Sequence, residues 1–341
     1  MGELDVKSCA IYYPYIRVPQ SAWFTRVLLY WDEVGAIVPY EYIQDPDRLG
    51  QYMVGLVREQ LVNQVVPGAH LWRVNNFADA FIDYVDQKAR RPEPPEQNPW
   101  VPVHMEKLQK VGEKLCERGL AQSNPADQYS PWYNVEPHTA DDFMAYLAAV
   151  LGQLTAADKY YPITDGEARL DPFLPQATSQ LRKMPLMPLR KLLLEGILPG
   201  PTAAIEPARL ADFKAQHKSE LQRFRREVED KISELAVIAD DDDRHRRLGD
   251  IARNMRESIR ELAARMQQQR NWPNVDFGNL CTIIGAGISA WKAVVNQNWG
   301  VGLTGAALSL APAVYKAFRG SDIILEDKPL AYAALAERAL A

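Results

Sequence analysis

Short apolar runs alternate with longer amphipathic runs over the first 165 residues. CAIYYPYI (9–16) and VGAIVP (34–39) have the length and composition of buried strands. SAWFTRVLLYW (21–31) lies between them and has helical periodicity, with Ser21 in the position of an N-cap. Because parallel strands need a crossover connection that a helix commonly supplies, this spacing predicts β-α units.

The same rhythm continues as far as residue 165. VPVHMEKL and WYNVEPHT each indicate a short strand that leads into a helix, and Thr139 with Asp142 three residues later resembles a capping arrangement. YYPITDGE closes the series. Five or six short strands are too few for an eight-stranded barrel. We therefore expect residues 1–168 to form an α/β domain with a mainly parallel sheet, either doubly wound or partial-barrel-like.

Residues 207–271 show the most regular pattern in the chain, after a proline-rich linker or packing segment at 169–206. Core-type positions recur with 3-4-4 spacing in two runs: Leu210, Phe213, His217, Leu221, Phe224, Val228, Ile232, Leu235 and Ala239, then Leu248, Ile251, Met255, Ile259, Leu262 and Met266. This eleven-residue repeat predicts nearly straight helices. With the polar sequence ADDDDRH as a turn between them, we expect a long antiparallel helical hairpin with His217 as a core residue.

The region 272–320 contains TIIGAGISAW, which resembles a dinucleotide-binding turn. GAGISA fits the pattern G-x-G-x-x-A, but a charged helix precedes it where a strand is required. No Asp or Glu follows between Phe277 and Ser321 to hold a ribose hydroxyl. We therefore expect no bound cofactor.

Two apolar, Gly/Ala-rich runs at 277–295 and 299–318 make up most of this region. Each approaches the roughly 20 residues with which a helix spans a bilayer. Helices buried inside protein have the same composition, so packing within the protein is favoured, with conditional membrane contact and constitutive insertion as alternatives. Residues 321–341 end in an alanine-rich helix pattern.

Charge, cysteine spacing and the N-terminal sequence limit which classes of protein fit this chain. The chain has 341 residues and a formal net charge of -5, so no nucleic-acid partner is expected. Its three cysteines lie far apart and form no CxxC pair, which indicates neither a zinc cluster nor a disulfide framework. The polar start MGELDVKS lacks the apolar core of a signal peptide, and we expect a cytoplasmic protein.

Candidate chemistry lies at the ends of the predicted strands, where ligands bind in α/β folds. The candidate catalytic residues are Tyr13, Arg17, His104, Glu136, His138 and Asp165, with Tyr15, Glu106 and Thr164 beside them. Such residues serve as acid-base partners or metal ligands. No HxH, HExxH or GxSxG motif is present, so no metal is expected. A capping role is favoured for at least one of Glu136 and His138.

Several segments resemble a known family. AIYYPYIRV, LLYWDEVGAIVP, VEPHTADDFMAYLA, PITD and ILPGP with FKAQHKSELQRFRREVE are similar to an uncharacterised bacterial family that carries a domain of unknown function (number 6236). The resemblance covers nearly the whole chain, and YYPYI with YWDEVGAIVP is its most specific part. It implies a bacterial cytosolic origin and supplies no catalytic residues.

Two functional hypotheses follow from these patterns. The first is a non-catalytic interaction or effector protein, in which an α/β sensing domain is coupled to a hairpin that binds a protein partner or self-associates. The apolar segment 277–318 would pack, oligomerise or contact a membrane conditionally, as in bacterial stress or phage-defence effectors. The alternative is an enzyme with an acid-base or metal site at the strand ends.

Overall fold

The computed structural model describes residues 8–88, 99–123, 130–154, 160–165, 186–201, 205–268 and 328–340. The chain divides into an α/β unit, Met1–Pro188, and a helical unit, Leu189–Ala341. The predicted fold class is confirmed: a parallel sheet with helices in the N-terminal part and a helical C-terminal part.

The α/β unit contains a four-stranded parallel sheet with the order β3-β2-β1-β7. Its strands are β1 Cys9–Tyr12, β2 Glu33–Ile37, β3 Val62–Val65 and β7 Tyr160–Ile163. Helix α1, Ala22–Tyr30, connects β1 to β2 as predicted, and the Ser21 side chain accepts the Phe24 N–H at 3.2 Å. Among the described strands, β3 and β7 remain unpaired with each other, so the sheet is open.

A second sheet corrects one expectation from the sequence. The strands β4 Val101–His104, β5 Ala121–Ser123 and β6 Trp132–Val135 form an antiparallel sheet of order β4-β6-β5, separate from the parallel one. The sequence pattern placed β4 and β6 in the mainly parallel series and did not predict β5. A strand followed by a helix looks the same in either sheet, because pairing depends on which residues meet in space and not on local pattern.

Six further described helices belong to the α/β unit. They are α2 Glu41–Gln44, α3 Gln51–Arg58, α4 Phe77–Lys88, α5 Met105–Leu108, α6 Val111–Glu117 and α7 Pro137–Leu154, with 3-10 turns at Pro46–Leu49, Pro67–Ala69 and Leu71–Arg73. Helix α7 packs against β1, β4, β7 and α4. One apolar cluster therefore joins residues of both sheets, including Ile11, Val103, Val135 and Phe143.

The helical unit confirms the predicted hairpin. Its helices are α8 Leu186–Ile197, which begins at the boundary between the units, α9 Pro207–Gln216, α10 Lys218–Ala236, α11 Asp241–Gln268 and α12 Ala331–Leu340. All six core positions predicted for α11, from Leu248 to Met266, are buried. His217, predicted as a core residue within one helix, is instead half-buried and separates α9 from α10. Its ring lies 4.8 Å from that of Phe213.

The turn of the hairpin differs from its prediction. Ala239 was assigned to the core but is exposed, because α10 ends at Ala236 and the chain turns before α11 begins at Asp241. The Asp240 carboxylate accepts the Asp243 N–H at 2.8 Å. Three of the four aspartates therefore belong to the first turn of α11, where negative charge is stabilised by the helix dipole.

Helix α12 covers the seam of this hairpin. It packs against α10 and α11, and eight of its ten residues are buried, so little of its surface remains for another partner. The Tyr332 ring lies 5.3 Å from that of Phe213 and 5.8 Å from that of Phe224. The Arg209 guanidinium donates to the Ala339 carbonyl near the end of α12.

Within the described part of the chain, no helix is both long and apolar enough to cross a membrane. The GAGIS motif and the runs 277–295 and 299–318 lie outside the described residues.

Two helix glycines give a matched test of the packing. A Cβ at Gly152 in α7 would lie 2.5 Å from the Tyr160 carbonyl oxygen, whereas one at Gly249 in α11 would meet no atom within 4 Å. We expect Gly152→Ala to destabilise the α/β unit, because helix and strand must separate. Gly249→Ala should stabilise the helical unit by about 0.5–1 kcal/mol, because alanine loses less backbone entropy in a helix.

Urea unfolding followed by circular dichroism, with hydrogen exchange to assign each change to a unit, measures both effects. Equal stability changes in the two variants would contradict the close approach of α7 and β7.

Candidate functional site

Tyr12 ends β1 beside the end of β7, and Tyr13 follows it directly. The Tyr12 hydroxyl donates to Asp165 Oδ1 at 3.3 Å. Burial raises the pKa of Tyr12, and the Asp165 charge raises it further. Burial likewise raises the pKa of Tyr13, with smaller contributions from the charges of Asp141 and Asp165. Both phenols therefore keep their protons, and the structure brings the predicted residues Tyr13 and Asp165 near each other.

Arg17 lies on the surface after β1. Its Nε and Nη2 donate to the Arg48 carbonyl oxygen at 3.0 and 2.6 Å. These bonds connect the segment after β1 to the 3-10 turn Pro46–Leu49. Arg17 therefore holds backbone together in this structure and positions the segment that carries Arg48.

His104 ends β4 and begins α5. Its Nδ1 accepts the Glu106 N–H at 3.2 Å, so the side chain caps the short helix that follows. The Trp132 ring, opposite His104 on β6, meets the imidazole edge-on with centroids 5.0 Å apart. The imidazole is 5% exposed and held on two sides.

This arrangement determines the protonation of His104. Burial lowers its pKa, and the charges of Glu41 and Glu106 only partly offset that effect. The ring is therefore neutral at pH 7. Because Nδ1 accepts a backbone N–H, the single proton of the neutral ring lies on Nε2.

The Nε2–H of His104 faces Glu41. Glu41 Oε1 lies 3.6 Å from Nε2, beyond the distance of a hydrogen bond. Nε2 is buried and, within the described residues, has no hydrogen-bond partner. The same Glu41 oxygen lies 3.2 Å from Arg48 Nη2. A buried donor and a carboxylate acceptor thus face each other without bonding.

Glu106 fixes the loops around this pair. Its Oε2 accepts the Tyr40 N–H at 2.6 Å, and a Cβ added to Gly68 would lie 3.2 Å from its Oε1. The carboxylate therefore holds the loop after β2 against α5 and lies close to Gly68 in the 3-10 turn Pro67–Ala69. The side chains of Tyr40 and Met105 are 55% and 52% exposed at this place, and each is adjacent in sequence to a member of the pair.

Lys107 is buried beside the same histidine. Burial lowers the pKa of its ammonium to about 7, and its charge lowers the pKa of His104. Among the ion pairs of the described residues, none includes Lys107. Burial therefore favours the uncharged form of this amine.

Glu136 and His138 do not join the group around His104. The Glu136 carboxylate accepts the N–H groups of His138 and Thr139 at 3.1 and 2.7 Å, and the Thr139 hydroxyl as well. Glu136 is thus the N-terminal cap of α7, which corrects the assignment of that role to Thr139 and Asp142. Asp142 is instead buried and accepts the Tyr84 hydroxyl at 2.8 Å. The His138 side chain is exposed.

The six residues predicted as catalytic therefore do not form one site. Tyr13 and Asp165 lie together at the ends of β1 and β7, while Arg17 connects through Arg48 and Glu41 to His104. Sequence reasoning missed Glu41, Arg48 and Lys107. Glu41 follows the second predicted strand, VGAIVP, as a polar residue near a strand end, so a signal for it was present in the sequence. In the part of the chain that the structure covers, no three His, Cys, Asp or Glu side chains are grouped to hold a metal ion.

No protein-family model, curated protein or solved structure matches this chain at a significant level. The resemblance to the bacterial family with a domain of unknown function therefore stays a prediction.

The buried lysine predicts a pH-dependent stability. In the unfolded chain a lysine titrates near its ordinary value of 10.5, whereas Lys107 in the fold titrates at about 7. Between these values the unfolded chain binds more protons, so stability increases as the pH rises from 7 towards 10.5. Lys107→Met removes this dependence, and we expect its stabilising effect to be larger at about pH 6.5 than at about pH 9.5.

Thermal unfolding of the wild type and the variant at both pH values measures the effect. Lys110→Met is the control, because Lys110 is exposed three residues away. A gain in stability that is the same at both pH values would show that Lys107 is not buried as an amine.

Proposed function

We propose that this chain is a non-catalytic bacterial interaction protein. Its α/β unit senses a small ligand at the site of His104 and Glu41, and its helical unit with segment 277–318 provides association or conditional membrane contact. A role in stress or phage defence fits such an effector by analogy of organisation.

The sensing role rests on one hydrogen bond, in which the backbone N–H of Glu106 donates to Nδ1 of His104. A general base needs a ring nitrogen with a free lone pair directed at its substrate. In His104 the lone pair of Nδ1 accepts a hydrogen bond from the backbone, and Nε2, which faces Glu41, carries the proton. The imidazole is therefore suited to donating a hydrogen bond to a ligand, which is recognition rather than proton abstraction.

Contacts around the pair support recognition as well. Arg17 and Glu106 hold the surrounding loops through backbone atoms, so the positions of Glu41 and His104 are set before any ligand arrives. Preorganisation of this kind lowers the entropic cost of binding. Exposed Tyr40 and Met105 belong to the residue types that are enriched in binding surfaces.

The lowered pKa of Lys107 supports an enzyme as the second candidate function. An amine with a pKa of about 7 near the His104 imidazole has the acid-base properties that catalytic sites use. In this alternative Lys107, and not His104, carries the proton transfer. Lys107 is buried and belongs to no ion pair among the described residues, which is why the binding role leads.

The association role is tested with an internal deletion. Residues 277–318 are replaced by a Gly/Ser linker of equal length, and residues 328–340 are kept because α12 covers the hairpin. Truncation after Arg270 would remove α12 as well and expose that seam, so it does not test the segment alone. Circular dichroism checks that the deletion variant folds.

We expect the full chain to form oligomers in analytical ultracentrifugation or to float with phosphatidylglycerol-containing liposomes, and the deletion variant to do so much less. Expression in bacteria compares the effect of both forms on viability. If the two forms are equally monomeric, equally unbound to liposomes and equally harmless, the association role is wrong.

A further inference from the structure

We infer that acid controls the His104 site, because a second proton on the imidazole breaks the cap of α5 and draws the ring towards Glu41. The inference rests on the proposed sensing role, since it names how that site is regulated, but its test needs no added ligand. It follows from the cap itself, the gap between His104 and Glu41, and the bond that connects α5 to the loop after β2.

In the neutral ring, Nδ1 is the acceptor that caps α5. It accepts the Glu106 N–H at 3.2 Å. An imidazolium carries a proton on both nitrogens and has no acceptor. Its Nδ1–H would point at the Glu106 N–H, so two donors would face each other and the bond would be lost. Because α5 has only four residues, Met105–Leu108, it depends strongly on this cap.

The other ring nitrogen gains a bond when the ring is protonated. Nε2 is buried, has no hydrogen-bond partner within the described residues and lies 3.6 Å from Glu41 Oε1. A charged N–H bonds to a carboxylate at about 2.7–2.9 Å, so a shift of about 1 Å closes the gap. Since the two nitrogens point in nearly opposite directions, the same shift draws Nδ1 away from the Glu106 N–H.

Glu106 connects the cap to the loop after β2. Its backbone N–H donates to His104, and its carboxylate accepts the Tyr40 N–H at 2.6 Å. When the first residues of α5 lose their cap, this carboxylate loses its fixed position, and the loop loses its bond to α5. The exposed side chains of Tyr40 and Met105 lie on the two segments that then separate. Acid therefore changes the surface beside the site.

The charges around His104 set the pH range of the change. Within the described residues, four charged side chains act on the imidazole: Glu41 of α2, Arg48 of the 3-10 turn, and Glu106 and Lys107 of α5. Trp132 of β6, which packs edge-on, has no titratable group. Burial lowers the pKa of His104 more than the two carboxylates raise it, so we expect the change below the ordinary histidine value of 6.5.

The experiment follows the full chain by NMR from about pH 8 to about pH 5, the range in which histidines titrate. Histidine, glutamate and tyrosine are labelled with ¹⁵N. We expect the His104 ring to take up a proton below pH 6.5 and the Glu106 and Tyr40 amide resonances to shift with the same midpoint. The amide resonance of Tyr146, in buried α7, reports on the fold and should not shift.

His104→Asn separates the cap from the proton. Asparagine is a favoured N-cap whose side-chain oxygen accepts the Glu106 N–H, but it takes up no proton in this range. The Glu106 and Tyr40 resonances of this variant should therefore stay constant. His138→Asn is the matched control, because it changes an exposed histidine outside the site and should leave the transition intact.

Two further variants should move the midpoint in opposite directions. Glu41→Gln removes a charge that favours the imidazolium, so we expect a midpoint lower by about one pH unit. Lys107→Met removes a charge that opposes the imidazolium, so we expect a higher midpoint. Both variants keep His104 and test the inference even when His104→Asn folds poorly.

The inference is overturned if the His104 ring stays neutral down to about pH 5, or if it titrates while the Glu106 and Tyr40 resonances stay fixed. It is also wrong if His104→Asn keeps the transition, if Glu41→Gln leaves the midpoint unchanged, or if Tyr146 shifts as well, since the change would then be unfolding of the unit.

The outcomes also separate this inference from the association role. Failure here with a clear effect of deleting 277–318 would reject acid control and leave the association role standing. Acid control without an effect of that deletion would reject the association role and leave the site standing.

Discussion

The burial of α7 on every side is the constraint on which the rest of the α/β unit depends. Residues 142–152 are buried without interruption, which is three turns of helix with no solvent-facing side. Such a helix must meet protein all round, and α7 does so against β1, β4, β7 and α4. The parallel and antiparallel sheets therefore share one core because the same helix fills the space beside both.

Polar groups on α7 are satisfied inside the protein for the same reason. The Tyr146 hydroxyl donates to the Phe77 carbonyl at 2.9 Å, and Asp142 accepts from Tyr84. The N–H groups at the start of the helix bond to buried Glu136. An unsatisfied group at any of these places would cost about 1–3 kcal/mol. This requirement explains why Glu136, which the sequence placed among candidate catalytic residues, acts as a cap.

The sequence pattern correctly predicted those helices whose ends or core positions depend on residues close together in the chain. The helix after Ser21 and the core positions of α11 follow from a capping side chain and a regular apolar period. Strand pairing did not follow, because β4 pairs with β6 and not with β5, the next strand in the chain, and local pattern does not specify that choice. Ala239 was misplaced because the repeat continues in the sequence beyond Ala236, where the helix itself ends. The burial of Lys107 likewise depends on tertiary packing around a four-residue helix, which leaves no periodic signal.

The direction in which His104 is held limits the chemistry that its imidazole can perform. An imidazole held through Nδ1–H by a carboxylate turns a basic nitrogen outward and suits proton abstraction. Here the backbone donates to Nδ1, the buried Nε2 carries the proton, and the Glu41 carboxylate lies 3.6 Å from it. Lowering the pKa by burial strengthens this assignment, because the ring resists the second proton that would make both nitrogens donors. The same side chain in the other orientation would support a base, so the cap of the short helix α5 determines which chemistry the site can perform.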